Sequence, residues 1–171
     1  MFKRASIVVV ALLFIFICHP ASAQDTVVYM TETVPYADEG SVPENIQTEC
    51  TLPQALADWI VMSAEQTKGI SVVKDNAAVE AGEGRILIVE IDAGESAYSA
   101  WTGHRKTLGV QGRLLQDGEE IGNFNGYRSS KGGMFGGFKG TCNILNRCAK
   151  VLGEDIVKWL KNPGKDSKIG Q

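Results

Sequence analysis

Histidine is nearly missing from this chain: His19 and His104 are the only two. A Ser-His-Asp triad would have to use His104, and the sequence has no Gly-x-Ser-x-Gly elbow to accompany it. Ser96, Ser99, Ser129 and Ser130 lie in other contexts, and His104 reads as a surface histidine at a strand end. Close cysteine pairs are missing too. The four cysteines, Cys18, Cys50, Cys142 and Cys148, form no C-x-x-C pair. A structural zinc site is therefore not expected, and neither a metal nor another cofactor is called for. An excess of positive charge is also absent, since the formal net charge is −3. That argues against nucleic acid and against an anionic membrane surface as partners. There is no internal repeat, and no second long apolar run follows the first.

That first run is Ile7 to Ile17, uninterrupted by charge and preceded by Lys3 and Arg4. Ala21-Ser22-Ala23 follows as a small-x-small site, so residues 1–23 read as a cleavable secretory signal with the mature chain beginning at Gln24. The run is shorter than the roughly 20 residues a spanning helix needs, and His19-Pro20 breaks it. Lipidation at Cys18 is the sharper rival, but it calls for a small residue where Ile17 stands. The expected location is periplasmic or secreted, with no integral membrane segment after cleavage. Losing Lys3 and Arg4 takes the formal charge from −3 to −5, 15 Lys and Arg against 20 Asp and Glu.

Export decides how the cysteines are read. Cys50, Cys142 and Cys148 remain, and in an oxidising compartment two of them should pair. Cys50 has no cysteine nearby in sequence, so it should bridge to one of the others. Cys50–Cys142 is favoured because both lie at predicted helix starts, with Cys50–Cys148 as the alternative. Cys148 falls on the apolar face of a helix, where a free thiol packs well and a reactive one is disfavoured. A bridge closing a loop of about 90 residues stabilises the fold by on the order of 4 kcal/mol.

The remaining length suits one domain, 24–164, with a loose polar tail at 165–171. Thr26 to Tyr29 are strand formers, and 33–48 reads as a loop with Pro35, Gly40 and Pro43. Thr51 and Gln54 form a capping-box pattern opening a helix to about Gln66, ended by Gly69. Ile70 to Val73 is a short strand, and 76–84 reads as turns. Arg85 to Ala93 is a strand apolar on both faces, which places it inside a sheet. His104 to Leu115 alternates, with Leu108, Val110, Gly112 and Leu114 on one side and Gly109, Gln111 and Arg113 on the other. Gln116-Asp117-Gly118-Glu119 is a hairpin turn joining it to Ile121–Arg128. Thr141 caps a final helix with apolar residues at three-four spacing, which Asn162-Pro163-Gly164 stops. The expected fold is α+β: one small, mostly antiparallel sheet of four to five strands with two helices on one face.

Three features invite a functional reading. The glycine-rich loop, with Gly133, Met134, Phe135, Gly136, Gly137, Phe138 and Lys139, precedes a helix, but Lys139 stands before Gly140 and so departs from the phosphate-loop pattern. It is kept as a candidate ligand- or partner-binding loop, beside the plainer reading of a turned connection. Tyr98 and Trp101 form a candidate aromatic patch. Glu90 and Asp92 lie two apart and project to one strand face, which is also how a solvent-facing strand end looks.

Glu49-Cys50-Thr51-Leu52-Pro53, Gly137-Phe138-Lys139-Gly140-Thr141-Cys142, Leu145, Arg147-Cys148 and Asp155-Ile156-Val157-Lys158-Trp159-Leu160 resemble a group of uncharacterised exported proteins of Gram-negative bacteria. The resemblance covers most of Thr48 to Pro163. More distantly the layout is similar to domain-of-unknown-function envelope proteins and to the auxiliary lipoproteins of transport systems. It implies periplasmic residence and no established catalytic residues, and it departs from the lipoprotein members at Ile17. The expectation is a non-catalytic envelope accessory protein, disulfide-stapled, that engages an envelope protein partner through the glycine-rich loop or a free sheet edge. The rival readings are a small hydrolase using Glu90, Asp92 or His104, and a glycan or small-ligand binder using Tyr98 and Trp101. The sequence leaves the oligomeric state open.

Overall fold

A computed structural model describes the chain over residues 25–99, 103–130 and 140–170, with residues 96–99, 103 and 104 given by backbone alone. It opens on β1 (Thr26–Met30), followed by α1 (Glu44–Glu49) and α2 (Leu52–Glu65). β2 (Ile70–Lys74) and α3 (Asn76–Ala81) lead into three long strands, β3 (Arg85–Ser99), β4 (Gly103–Gln116) and β5 (Glu119–Ser130). α4 (Thr141–Leu160) and the short β6 (Ser167–Ile169) complete the order.

The strands form one mixed sheet in the order β2-β1-β3-β4-β5-β6. β1 runs parallel to both β2 and β3, β3 to β5 form an antiparallel meander, and β6 runs parallel to β5. The expectation of four to five mostly antiparallel strands with two helices is thus corrected, among the described residues, to six strands in a mixed sheet and four helices. The reason lies in the connections. A helix between β1 and β2 is long enough to return the chain to the same end, which makes the strands parallel. The meander matches the expected hairpin: Asp117 and Gly118 both take positive φ, 51° and 84°, as a type I′ turn requires.

Three stretches read as irregular carry structure. Residues 76–84, expected as turns, hold α3: the Asp75 carboxylate accepts from the Ala78 amide at 3.0 Å, and Gly82 ends the helix at φ 74°. The expected loop at 33–48 holds α1, opened by Pro43. The tail at 165–171, expected loose, holds β6. There the Asp166 amide donates to Asn123 Oδ1 at 2.7 Å, and Gly126 leaves room for Ile169, whose Cγ1 would stand 2.6 Å from a Cβ there. Two capping readings also change. Thr51 is the N-cap of α2 but makes no side-chain capping bond, and the Gln54 side chain points forward to donate to Asp58 at 2.9 Å rather than back to the cap. Gly140, not Thr141, is the N-cap of α4.

One sheet face is packed by α2 and α4. Val28, Met30, Leu87, Val89, Ile91, Leu108, Val110, Leu114 and Phe124 point into the core from the strands. Leu52, Leu56 and Ile60 of α2 and Leu145, Leu152 and Ile156 of α4 meet them. Each such side chain contributes about 1.5–3 kcal/mol by leaving water. Gly153 lets the two helices cross closely, since a Cβ there would lie 2.9 Å from the Trp59 backbone. Phe124 packs over Gly112 and against Trp159, ring centroids 4.8 Å apart and nearly edge-on.

The helix layer is also covalently pinned. Cys50, the C-cap of α1, is bonded to Cys142 in the first turn of α4. This is the favoured of the two pairings expected. Cys148 is free and buried, and burial pushes its thiol pKa up, against a smaller opposing pull from Arg128.

Candidate functional site

The face of the sheet opposite α2 and α4 behaves differently across β3, β4 and β5. The register places residues in rows: Ile88, Arg113 and Asn123; then Glu90, Gln111 and Asn125; then Ala93, Gly109 and Tyr127. Pleating sends alternate side chains to opposite faces, so these rows lie away from the helices. They are polar, but they are not left loose. Gln111 Nε2 donates to Glu90 Oε2 at 2.9 Å, and Asn123 Nδ2 donates to Glu120 Oε1 at 2.8 Å.

A bulge shapes the middle of this face. Ile91 pairs with Val110 and Ala93 with Gly109, so Asp92 is an extra residue in β3. Its carboxylate lies over Gly109, and a Cβ at that position would stand 2.5 Å from Asp92 Oδ1. The glycine is therefore what admits the carboxylate. Partial burial there raises the Asp92 pKa above the ordinary carboxyl range, against a smaller opposing bond from its own backbone. Tyr127, across β4 from the bulge, is 50% exposed.

Two adjoining hollows occupy the face. One, of about 400 Å³, is lined by Ile88, Glu90, Gln111, Arg113, Asn123 and Asp166 among others. The second, about 290 Å³, is lined by Asp92, Glu95, Thr107, Gly109, Tyr127 and Lys168. Asn125 lines both. Amides that can donate and accept stand beside carboxylates, with Arg113 and Lys168 as the cations. This chemistry suits recognition of a polar ligand or a polypeptide backbone.

The expected site residues fall as follows. Glu90 and Asp92 share the open face, as their spacing predicts, but they open into different hollows. Tyr98 and His104 are placed by backbone alone and pair with each other across β3 and β4. Trp101 and the loop residues Gly133, Met134, Phe135, Gly136, Gly137, Phe138 and Lys139 lie outside the described residues. Among the described residues no group of three His, Cys, Asp or Glu side chains is arranged to hold a metal ion. Sequence reasoning missed Asn123, Asn125 and Tyr127. The signal was present, since these residues alternate along β5 with Gly122, Phe124 and Gly126. It becomes informative only when β5 is aligned with Gly109, Gln111 and Arg113.

No family model matches the chain, and no curated protein matches it. Its architecture, an α+β domain built on one mixed sheet, is similar to that of several solved structures. Protein XCC0632 of Xanthomonas campestris, from the family DUF330, is 12% identical, with a TM-score of 0.50 over 79% of this chain and 83% of that one. The PelC dodecamer of Paraburkholderia phytofirmans is 10% identical, with a TM-score of 0.47 over 78% and 89%. Lipoprotein GNA1162 of Neisseria meningitidis is 13% identical, with a TM-score of 0.43 over 80% and 99%. At these identities the likeness is one of fold. The DUF330 protein is of the kind the sequence resembles.

Proposed function

We propose that this chain is an exported accessory protein of the bacterial cell envelope that acts by binding, through the open face of β3 to β5. The observation carrying the proposal is that face itself: a helix layer packs one side of the sheet, while the other presents a row-by-row array of amides and carboxylates around two hollows. Binding is favoured over hydrolysis because one Glu90 oxygen is occupied by Gln111 and because Glu90 and Asp92 serve separate hollows. Export rests on the signal read at residues 1–23, and the Cys50–Cys142 bond supports it, since such bonds persist in oxidising compartments. The partner is an envelope protein, presented to the open face by its polar backbone or side chains.

The test is cell fractionation followed by crosslinked capture from the periplasm. N-terminal sequencing should start at Gln24. Wild-type protein should retain a partner that the Asn125→Ala/Tyr127→Ala variant loses. A lipid-modified Cys18 would overturn cleavage after Ala23, and undiminished capture by the variant would move the binding surface elsewhere.

A further inference from the structure

The outer surface of the helix layer shows an arrangement the open face does not explain. α4 and its C-cap Lys161 turn one row of residues to solvent: Arg147, Lys150, Glu154, Lys158 and Lys161. They are spaced three or four apart, so they stack along one side of the helix. Four of the five are cations, and none forms an ion pair with a described residue. At 1.5 Å per residue the row is about 21 Å long.

Beside it, α2 contributes Trp59 and Met62. The Trp59 indole is fixed from two sides. Its Nε1 donates to Asn146 at 2.9 Å, and Lys150 Nζ stands 5.2 Å from the ring centre. Hollows of about 320 Å³ and 300 Å³ flank the ring, the first lined by Asn143, Arg147 and Lys150, the second by Met62 and Lys150. Met62 is 44% exposed. The acids of the opposite face, Glu90, Asp92, Glu95, Glu120 and Asp166, are on the far side of the sheet or at its rim. The chain is acidic in sum, and yet it presents a basic helical row.

We propose that this helix face docks on an anionic phospholipid surface. Arg147, Lys150, Lys158 and Lys161 lie against headgroup phosphates, and Trp59 and Met62 enter the boundary beneath them. A straight, evenly spaced row of cations matches a plane of negative charge. An indole and a thioether beside it match the apolar layer under that plane, which an acidic protein surface would not supply. Docked this way, the molecule turns its open sheet face away from the lipid. The net charge is negative, and the helix layer also carries Glu65 and Glu154, so the attraction is local to the four cations of this row. No helix among the described residues is long and apolar enough to cross a membrane, so the contact is peripheral.

The test is co-sedimentation of purified exported protein with phosphatidylglycerol vesicles and with phosphatidylcholine vesicles. Binding is expected to the first only, and it should fall as salt is added. Each surface cation contributes about fivefold, so Arg147→Gln/Lys158→Gln should weaken binding roughly 25-fold. The charge-keeping Arg147→Lys/Lys158→Arg should bind as wild type, which separates lost charge from lost folding. Equal binding to both vesicles, binding to neither, or full binding by the glutamine variant would overturn the proposal. Salt-sensitive capture of an acidic protein without vesicle binding would overturn it in favour of a protein partner. The open sheet face does not enter this assay, so its failure leaves the proposed binding through that face standing.

Discussion

Along β4, Leu108, Val110 and Leu114 are fully buried on one side, while Gly109, Gln111 and Arg113 stand on the other, in hollows or in solvent. The same backbone serves both faces, and the difference comes from what covers it. On the helix side, apolar contact dominates, and the glycines there, such as Gly112 under Phe124, make space for large rings. On the open side, Gly109 makes space for a carboxylate. Packing on one face fixes the position of the other, so the open face can be polar without being disordered. Changes on the two faces should therefore be felt in different measurements.

The largest effect should come from the covalent pin of the helix side. The Cys50→Ser/Cys142→Ser variant should lose on the order of 4 kcal/mol in denaturant titration, because the bond restricts a 92-residue separation in the unfolded chain. Non-reducing mass spectrometry of the native protein should show one internal disulfide and one thiol. Three thiols would remove the basis of this prediction. Next, Leu152→Ala on α4, which empties a fully buried site, should cost about 2–5 kcal/mol and leave partner capture per folded molecule unchanged. Equal losses of stability and capture would mean the faces are not separable.

The open face should respond in the opposite sense. Asn125→Ala and Tyr127→Ala should each change stability by no more than about 0.5 kcal/mol while reducing capture. The smallest effect is a pH dependence at Asp92. Its pKa is raised on folding, so between the unfolded and folded values the native state holds more protons, and stability falls as pH rises through that window. Asp92→Asn should thus be slightly more stable than wild type at neutral pH, with the gap closing as pH drops below the ordinary carboxyl range. A gap independent of pH would show that the bulge, not the charge, sets the difference.

Much of the helix side was legible in the sequence. The Thr51 start and Gly69 stop bracketed α2, three-four spacing located α4, an apolar run located β3 only as far as Ala93 although it continues to Ser99, Asp117-Gly118 located the hairpin, and helix starts picked out Cys50–Cys142. The misses share a cause. α3 is six residues long, too short for periodicity to speak, although Asp75 and Gly82 mark its ends. β6 pairs only with a strand some forty residues earlier, so nothing local announces it. The open face was legible only by halves, because Gln111 and Asn125 are ordinary polar residues until the register makes them neighbours. The basic row of α4 was hidden by summing charge along the chain instead of around the helix.

The Cys50–Cys142 bond has one more consequence. The segment it encloses contains β2, α3 and the whole β3–β4–β5 meander, so every strand of the open face lies inside a covalent ring. A single backbone cut anywhere in that ring leaves two pieces that cannot drift apart while the bond is intact. The proposed binding surface would survive a protease nick as one molecule, and it would separate into fragments only when a reductant arrives.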